Sequence, residues 1–206
     1  MTEWPMRLVE AKKPISMIDW SPDGTRIAYV AGDDLDVVTI TGRVVRRLAT
    51  GVGDDPSIMW SDGNPRIAYD GFVGDHSQVI VDNGDGSGKT VIDQGTKFEG
   101  PGLPAWSPTG DRVAFVTTPG RPNHYRVEVW AARSDGSQRT LLYRTPIGGP
   151  DFGTPVWSPS GAWVAVHFDA GWLATKSDGS RMTRALDDAV VEGWLQRPEQ
   201  PQESAG

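Results

Sequence analysis

The sequence predicts an all-β fold: a β-propeller of four-stranded antiparallel blades, with four full blades and a partial fifth. Three observations predict it. A tryptophan-led segment recurs in phase along the 206-residue chain, as "WSPDGTRIAYV" from Trp20, "WSDGNPRIAYD" from Trp60, "WSPTGDRVAFV" from Trp106 and "WSPSGAWVAVH" from Trp157. A second segment recurs inside each unit, as "ITGRVVRRL" (40–48), "GDGSGKTVI" (84–92), "SDGSQRTLL" (134–142) and "SDGSRMTRAL" (177–186). No stretch shows helical periodicity of any length. The tryptophans are 40, 46 and 51 residues apart, and Trp194 follows 37 residues later, about the length one four-stranded unit needs.

The third unit shows the elements in order. Leu103 to Trp106 reads as a first strand. "SPTGD" is a tight turn, in which Pro presets φ and Gly supplies positive φ. "RVAFVT" reads as the second strand, followed by a loop of Pro, Gly and Asn. "YRVEVWAA" alternates with the period of a half-buried third strand, "SDGS" turns, and "RTLLYR" is the fourth. In register with this unit, the blades are expected at about 15–50, 56–95, 101–146 and 154–187, inside a domain of residues 1–196. Val79 and Val81, on the third strand of the second unit, are expected to face the core.

Two segments lie outside these units. "MRLVEA" (6–11) resembles a fourth, outer strand and "AVVEGWL" (189–195) a first, inner one. Together they make half a fifth blade, through which the termini could meet. A four-bladed ring with these strands packed outside is the rival arrangement, and homo-oligomerisation through the incomplete blade is the third, because an open edge strand invites pairing. The tail 197–206 has no apolar pattern and is expected to be disordered.

The W-S-P-D-G-x-x-I-A-Y/F repeat followed by a D-G-S hairpin resembles the TolB-type propeller repeat, a relative of the WD repeats. The same repeat occurs in the propeller domains of prolyl-oligopeptidase-like peptidases. The resemblance covers roughly 15–196 and implies the fold; it assigns no activity, since the repeat is a structural module. Complete TolB-type domains usually have six blades, and this chain departs from that number.

Composition excludes several classes of function. The formal net charge is −7, and free nucleic-acid binding needs a basic surface instead. There is no cysteine, hence no disulfide, thiolate zinc site or cysteine nucleophile. No apolar run approaches the roughly 18 residues of a membrane span. "MTEWPMRLVEAKK" is not a signal peptide, so a cytoplasmic location is expected, although a chain trimmed of its leader would read the same.

The motifs that suggest chemistry dissolve on inspection. Gly88-Lys89-Thr90 copies the end of a P-loop, but Asn83 stands where the first Gly belongs and no helix pattern follows. Asn83, Asp85, Ser87 and Gly88 copy half of a calcium loop, but Gln94 stands where the bidentate Glu belongs. No serine sits in G-x-S-x-G. His76, His124 and His167 are the only histidines, and none has metal-ligand spacing. The repeated tryptophans, read by their phase, pack between blades rather than stack on sugars. No cofactor and no metal are expected.

One charge pattern survives. Loops joining strand four to strand one, and strand two to strand three, share one face of a propeller. They collect Asp33, Asp34, Asp36, Asp54, Asp55, Asp70, Asp75, Glu99, Asp151, Asp169, Asp187 and Asp188, against Lys97 and Arg121. The opposite rim collects Arg26, Arg43, Arg66, Lys89, Arg112, Arg139 and Arg181. The function expected is a non-catalytic binding or scaffolding module that docks a protein or peptide through the acidic face, with Asp54, Asp55, Phe98, Glu99, Asp151, Phe152 and Asp188 as contacts. The alternative is a hydrolase or lyase using rim carboxylates with His76 or His124, with or without a divalent cation.

Overall fold

A computed structural model describes residues 8–53, 56–96, 100–121, 124–148, 151–169, 171–180, 183–186 and 191. They form four antiparallel four-stranded sheets in chain order. The first holds β1 (Ile15–Trp20), β2 (Arg26–Ala31), β3 (Asp34–Thr39) and β4 (Val44–Thr50). The second holds β5 (Ile58–Trp60), β6 (Arg66–Val73), β7 (His76–Asn83) and β8 (Thr90–Gln94). In the third, β9 (Pro101–Trp106) and β10 (Arg112–Thr117) precede a small ribbon of β11 (Gly120–Arg121) and β12 (His124–Tyr125). The sheet is completed by β13 (Glu128–Arg133) and β14 (Thr140–Arg144). The fourth holds β15 (Val156–Trp157), β16 (Trp163–Phe168), β17 (Gly171–Lys176) and β18 (Thr183–Leu186).

The repeat writes its turns locally. In three of the four units the hydroxyl of the Ser after the tryptophan closes the first turn, Ser61 Oγ being the exception. The Arg26 N–H donates to Ser21 Oγ (2.9 Å), Arg112 to Ser107 Oγ (3.1 Å) and Trp163 to Ser158 Oγ (3.1 Å). Gly24, Gly110 and Gly161 hold the left-handed position of this turn at φ of 65–69°, which only glycine adopts cheaply. The D-G-S hairpins are Asx turns: Asp85, Asp135 and Asp178 each accept the N–H two residues on, at 2.9 Å.

Alternation along the strands gives each sheet two apolar faces, and packing neighbouring sheets face to face buries them. Val30, Leu35 and Val37 of the first sheet meet Trp60, Ile67 and Tyr69 of the second. Val79, Val81 and Ile92 of the second meet Trp106, Val113 and Phe115 of the third. Val116, Val129 and Leu142 of the third meet Trp157, Val164 and Val166 of the fourth. Val79 and Val81 are fully buried, as their alternation predicts.

The sheets do not close into a ring: among the described residues, no apolar cluster joins the first sheet to the fourth. The two open faces are covered unequally. Val9 and Ala11 pack on Tyr29, Ala31 and Val38 of the first sheet. Val191 is buried against Ala165 and Ala174 of the fourth. Of the segment 6–11 expected as a strand, residues 8–11 run outside any strand and 6–7 lie outside the described residues. Of 189–195, only Val191 is described, and the tail 197–206 is not.

Candidate functional site

Four residues of the basic rim, Arg26, Arg66, Arg112 and Arg139, are latches between sheets. Arg26, Arg66 and Arg112 open the second strand of their sheets, and each reaches to the tryptophan of the next. Their guanidinium carbons lie 5.0, 5.7 and 5.6 Å from the ring centroids of Trp60, Trp106 and Trp157. Arg66 also donates to Ser134 Oγ (2.7 Å) and to the Ser134 carbonyl (2.9 Å), and Arg112 donates to the Ser177 carbonyl (2.7 Å). Burial lowers the Arg66 pKa, against the pull of Asp135 and Asp82. Arg139 stacks 4.0 Å from the Trp130 centroid and pairs with Asp93 at 2.8 Å. These four side chains are engaged inside the molecule, so their part of the rim is structural. Arg181 lies outside the described residues.

The P-loop and calcium-loop letters fall on the hairpin between β7 and β8. Gly88 adopts φ 68° there, and the equivalent Gln138 of the third sheet adopts φ 52° at the same point of the same turn. The residue after Thr90 continues a strand, so no helix N-terminus faces an anion. Asp85 is spent on Ser87, whose hydroxyl and N–H hold its carboxyl below the usual range.

Among the described residues, most acids of the acidic rim are engaged. Asp33 pairs with Lys13. Arg47 bridges Asp34 (3.1 Å) and Asp36 (2.9 Å). Asp70 is a structural tie: one oxygen accepts the Ser57 N–H at 2.6 Å and the other the Leu103 N–H at 3.3 Å, linking the second sheet to β9. Asp75 lies 2.9 Å from His76 Nδ1. His124 is exposed, and the exposed His167 sets its ring edge-on to Trp172 at 5.2 Å. Among the described residues, no three His, Asp or Glu side chains gather as a metal site.

Two rim acids have no partner among the described residues, Asp151 and Asp169. An isolated antiparallel bridge between Phe152 and Phe168, with the Gly153 N–H donating to the His167 carbonyl at 3.1 Å, sets them side by side on neighbouring segments. Both are exposed. On the other face of this bridge Phe168 is buried and Phe152 half-buried, and Tyr143 packs on Phe168 with ring centroids 5.8 Å apart. Of the expected contacts, the structure therefore places Asp151 at the surface and Phe152 partly in the core. Asp54, Asp55, Phe98, Glu99 and Asp188 lie outside the described residues, as do Lys97 and Asp187. The partnership of Asp151 with Asp169 was not legible in the sequence, because a single bridge between two loops leaves no periodic trace.

Comparison with solved structures identifies the architecture. A protein provisionally named TolB from Agrobacterium tumefaciens matches 88% of this chain at TM-score 0.61 and 19% identity. Hsv2 from Kluyvelomyces marxianus matches 92% at TM-score 0.60 and 15% identity, and a protein of unknown function from Desulfotomaculum acetoxidans 87% at 0.53 and 17%. The fold is that of a β-propeller. At these identities the likeness, TolB included, is one of fold. The chain spans 64%, 54% and 57% of those three proteins, respectively, under two thirds of each. No family profile matches the chain, and no curated relative does. Among the described residues, no helix is long and apolar enough to cross a membrane.

Proposed function

We infer that the chain is a non-catalytic binding or scaffolding module that docks a basic protein or peptide segment on its acidic rim, centred on Asp151 and Asp169. The observation that carries this reading is the unequal engagement of the described rim acids. Asp33, Asp34, Asp36 and Asp70 are tied to cations or backbone N–H groups, whereas Asp151 and Asp169 stand side by side, exposed and without partners among the described residues. Two adjacent carboxylates attract a lysine or arginine. Asp54, Asp55, Phe98, Glu99, Phe152 and Asp188 extend the proposed contact surface. A propeller is compatible with this role, because its loops carry variable chemistry on a rigid frame.

The test is calorimetric. A lysine- and arginine-rich peptide is titrated into the wild-type chain and into Asp151→Lys/Asp169→Lys at low salt, with an acidic peptide as control. Selective, salt-sensitive binding of the basic peptide, lost in the variant, is the expected result. Equal binding by both proteins removes the acidic rim as the docking site.

A further inference from the structure

The tryptophan that begins each unit has the same job in three sheets and none in the first. Trp60, Trp106 and Trp157 are 4%, 7% and 6% exposed, each seated on the preceding sheet. Trp20 is 51% exposed. Its neighbours share this condition: Ile18 is 59% exposed, against 8% for the equivalent Ile58, and Ile15 is 47% exposed. A register shift between Ile15 and Met17 brings Ile15 onto the same face. Ile15, Ile18 and Trp20 pair with Ala31, Tyr29 and Ile27, whose side chains all point away from the second sheet. The outer half of this face is already covered by Val9 and Ala11. Among the described residues, what stays open is an apolar stripe on β1, the strand that begins the first sheet.

We propose that this stripe is the docking seat for a β-blade supplied by another polypeptide, one whose second strand opens with Arg-x-Ala. The internal interfaces define that complement three times. Arg26-x-Ala28, Arg66-x-Ala68 and Arg112-x-Ala114 each present a fully buried alanine to the next sheet and a guanidinium to its tryptophan. Twice the seat also provides a carbonyl: the Trp106 indole N–H donates to Met59 O and that of Trp157 to Ala105 O, both at 3.0 Å. A sheet with these groups would bury Trp20, Ile18 and Ile15 as the others are buried. Residues 8–11, which form no strand, already cover Tyr29, Ala31 and Val38, so the incoming blade has chiefly β1 left to bury.

A second copy of this chain does not carry the complement. Its first three seats are filled from within. Its fourth sheet presents Trp163-x-Ala165, with an indole where the others have a guanidinium, and Val191 already occupies Ala165 and Ala174. The surface left open and the seat already filled lie at opposite ends of one arc. The three similar propellers each have length beyond what this chain matches, consistent with a ring holding more sheets than these four.

The chain can be turned into its own probe. Trp163→Arg with Val191→Asp creates Arg-x-Ala on the fourth sheet and clears its seat, while Trp20 is left untouched. Light scattering over a range of concentrations is expected to show a monomeric wild type and a double variant that associates head to tail. Adding Trp20→Ala should weaken that association by at least about tenfold. Near-UV circular dichroism checks that the variant is folded, and Trp163→Arg/Val191→Ala, which clears the seat by truncation alone, replaces it if the aspartate unfolds the fourth sheet. A folded variant that stays monomeric at every concentration overturns the proposal, as does association indifferent to Trp20→Ala. Self-association of the wild type that Trp20→Ala abolishes overturns it too, by giving the stripe to a second copy.

Discussion

The faces of the first and second sheets that look back along the chain are built from the same letters and have opposite fates. Ile18, Trp20, Ile27 and Tyr29 of one match Ile58, Trp60, Ile67 and Tyr69 of the other. The second set is sealed by a neighbour: Ile58, Trp60, Ile67 and Tyr69 are at most 8% exposed. The first set has a neighbour only over its outer half. The repeat therefore encodes what a sheet offers, and position in the arc decides whether the offer is taken. A tryptophan in this fold stabilises its own sheet little and the junction to the previous sheet much.

The largest expected effect breaks a sealed junction. Trp157→Ala removes an indole that is 6% exposed, leaves Ala105 O without its donor and leaves Arg112 over empty space. The loss should be about 3–5 kcal/mol, read from urea unfolding, and should release the fourth sheet before the other three. A cost near that of a surface substitution would show that the junctions do not hold the arc together.

The latch is worth less than the ring it covers. Arg112→Ala forfeits a cation–π contact and one charge-assisted hydrogen bond to Ser177 O, for about 1–2 kcal/mol. Arg112→Lys should recover little, because an ammonium cannot both stack and donate in one plane. Arg26→Ala, at the junction of the first and second sheets, removes stacking on Trp60 and is expected to cost less than Arg112→Ala. The junction it serves is the less regular one, since Trp60 Nε1 is buried without an acceptor while the equivalent atoms of Trp106 and Trp157 have one.

That same junction buries a carboxyl. Asp82 pairs with Ile67 where the first sheet pairs Val38 with Ile27, and it is 2% exposed with Oδ1 unpartnered. Burial raises its pKa above 3.8, with Lys89 and Arg46 opposing. The folded chain therefore holds this proton at pH values where the unfolded chain has released it. Stability falls as pH rises from the unfolded value through the folded one, and the penalty is complete above it. Asp82→Asn should raise stability by roughly 1 kcal/mol at neutral pH and leave it unchanged below the ordinary carboxyl value. Urea midpoints at the two pH values check this. The exposed turn acids, led by Asp23 at about 2, work in the opposite sense. Bonds from Ser21 and Thr25 stabilise the Asp23 carboxylate above its unfolded pKa, and that contribution is lost as pH falls through the folded value.

What the sequence reveals and what it conceals divide along the same line. Turns are local: Ser21 reaches Arg26 and Asp85 reaches Ser87 within five residues, so the SPxG and DGS letters announce them, and the strands between follow by alternation. Reach between sheets is not local. Arg66 is 68 residues from Ser134, so a reading within one unit places it on a basic rim in solvent when it is clamped to the next hairpin. Asp70 counts as a rim acid until its two oxygens are seen to hold Ser57 and Leu103. The bulge that turns Ile15 to the open side has no turn residue to mark it.

The smallest expected effect is the most informative about the open face. Trp20→Ala changes the same letter as Trp157→Ala but a side chain already half in water, with no sheet behind it among the described residues. Its cost to the isolated chain should stay within about 0.5 kcal/mol, the range of an ordinary surface substitution. Urea unfolding of the two variants side by side measures the difference. A cost for Trp20→Ala close to that of Trp157→Ala would mean that the face is covered in the protein by itself, by its own terminal segments or by a second copy. A small cost leaves the stripe as exposed apolar surface, which folded chains retain in contiguous form chiefly where something binds.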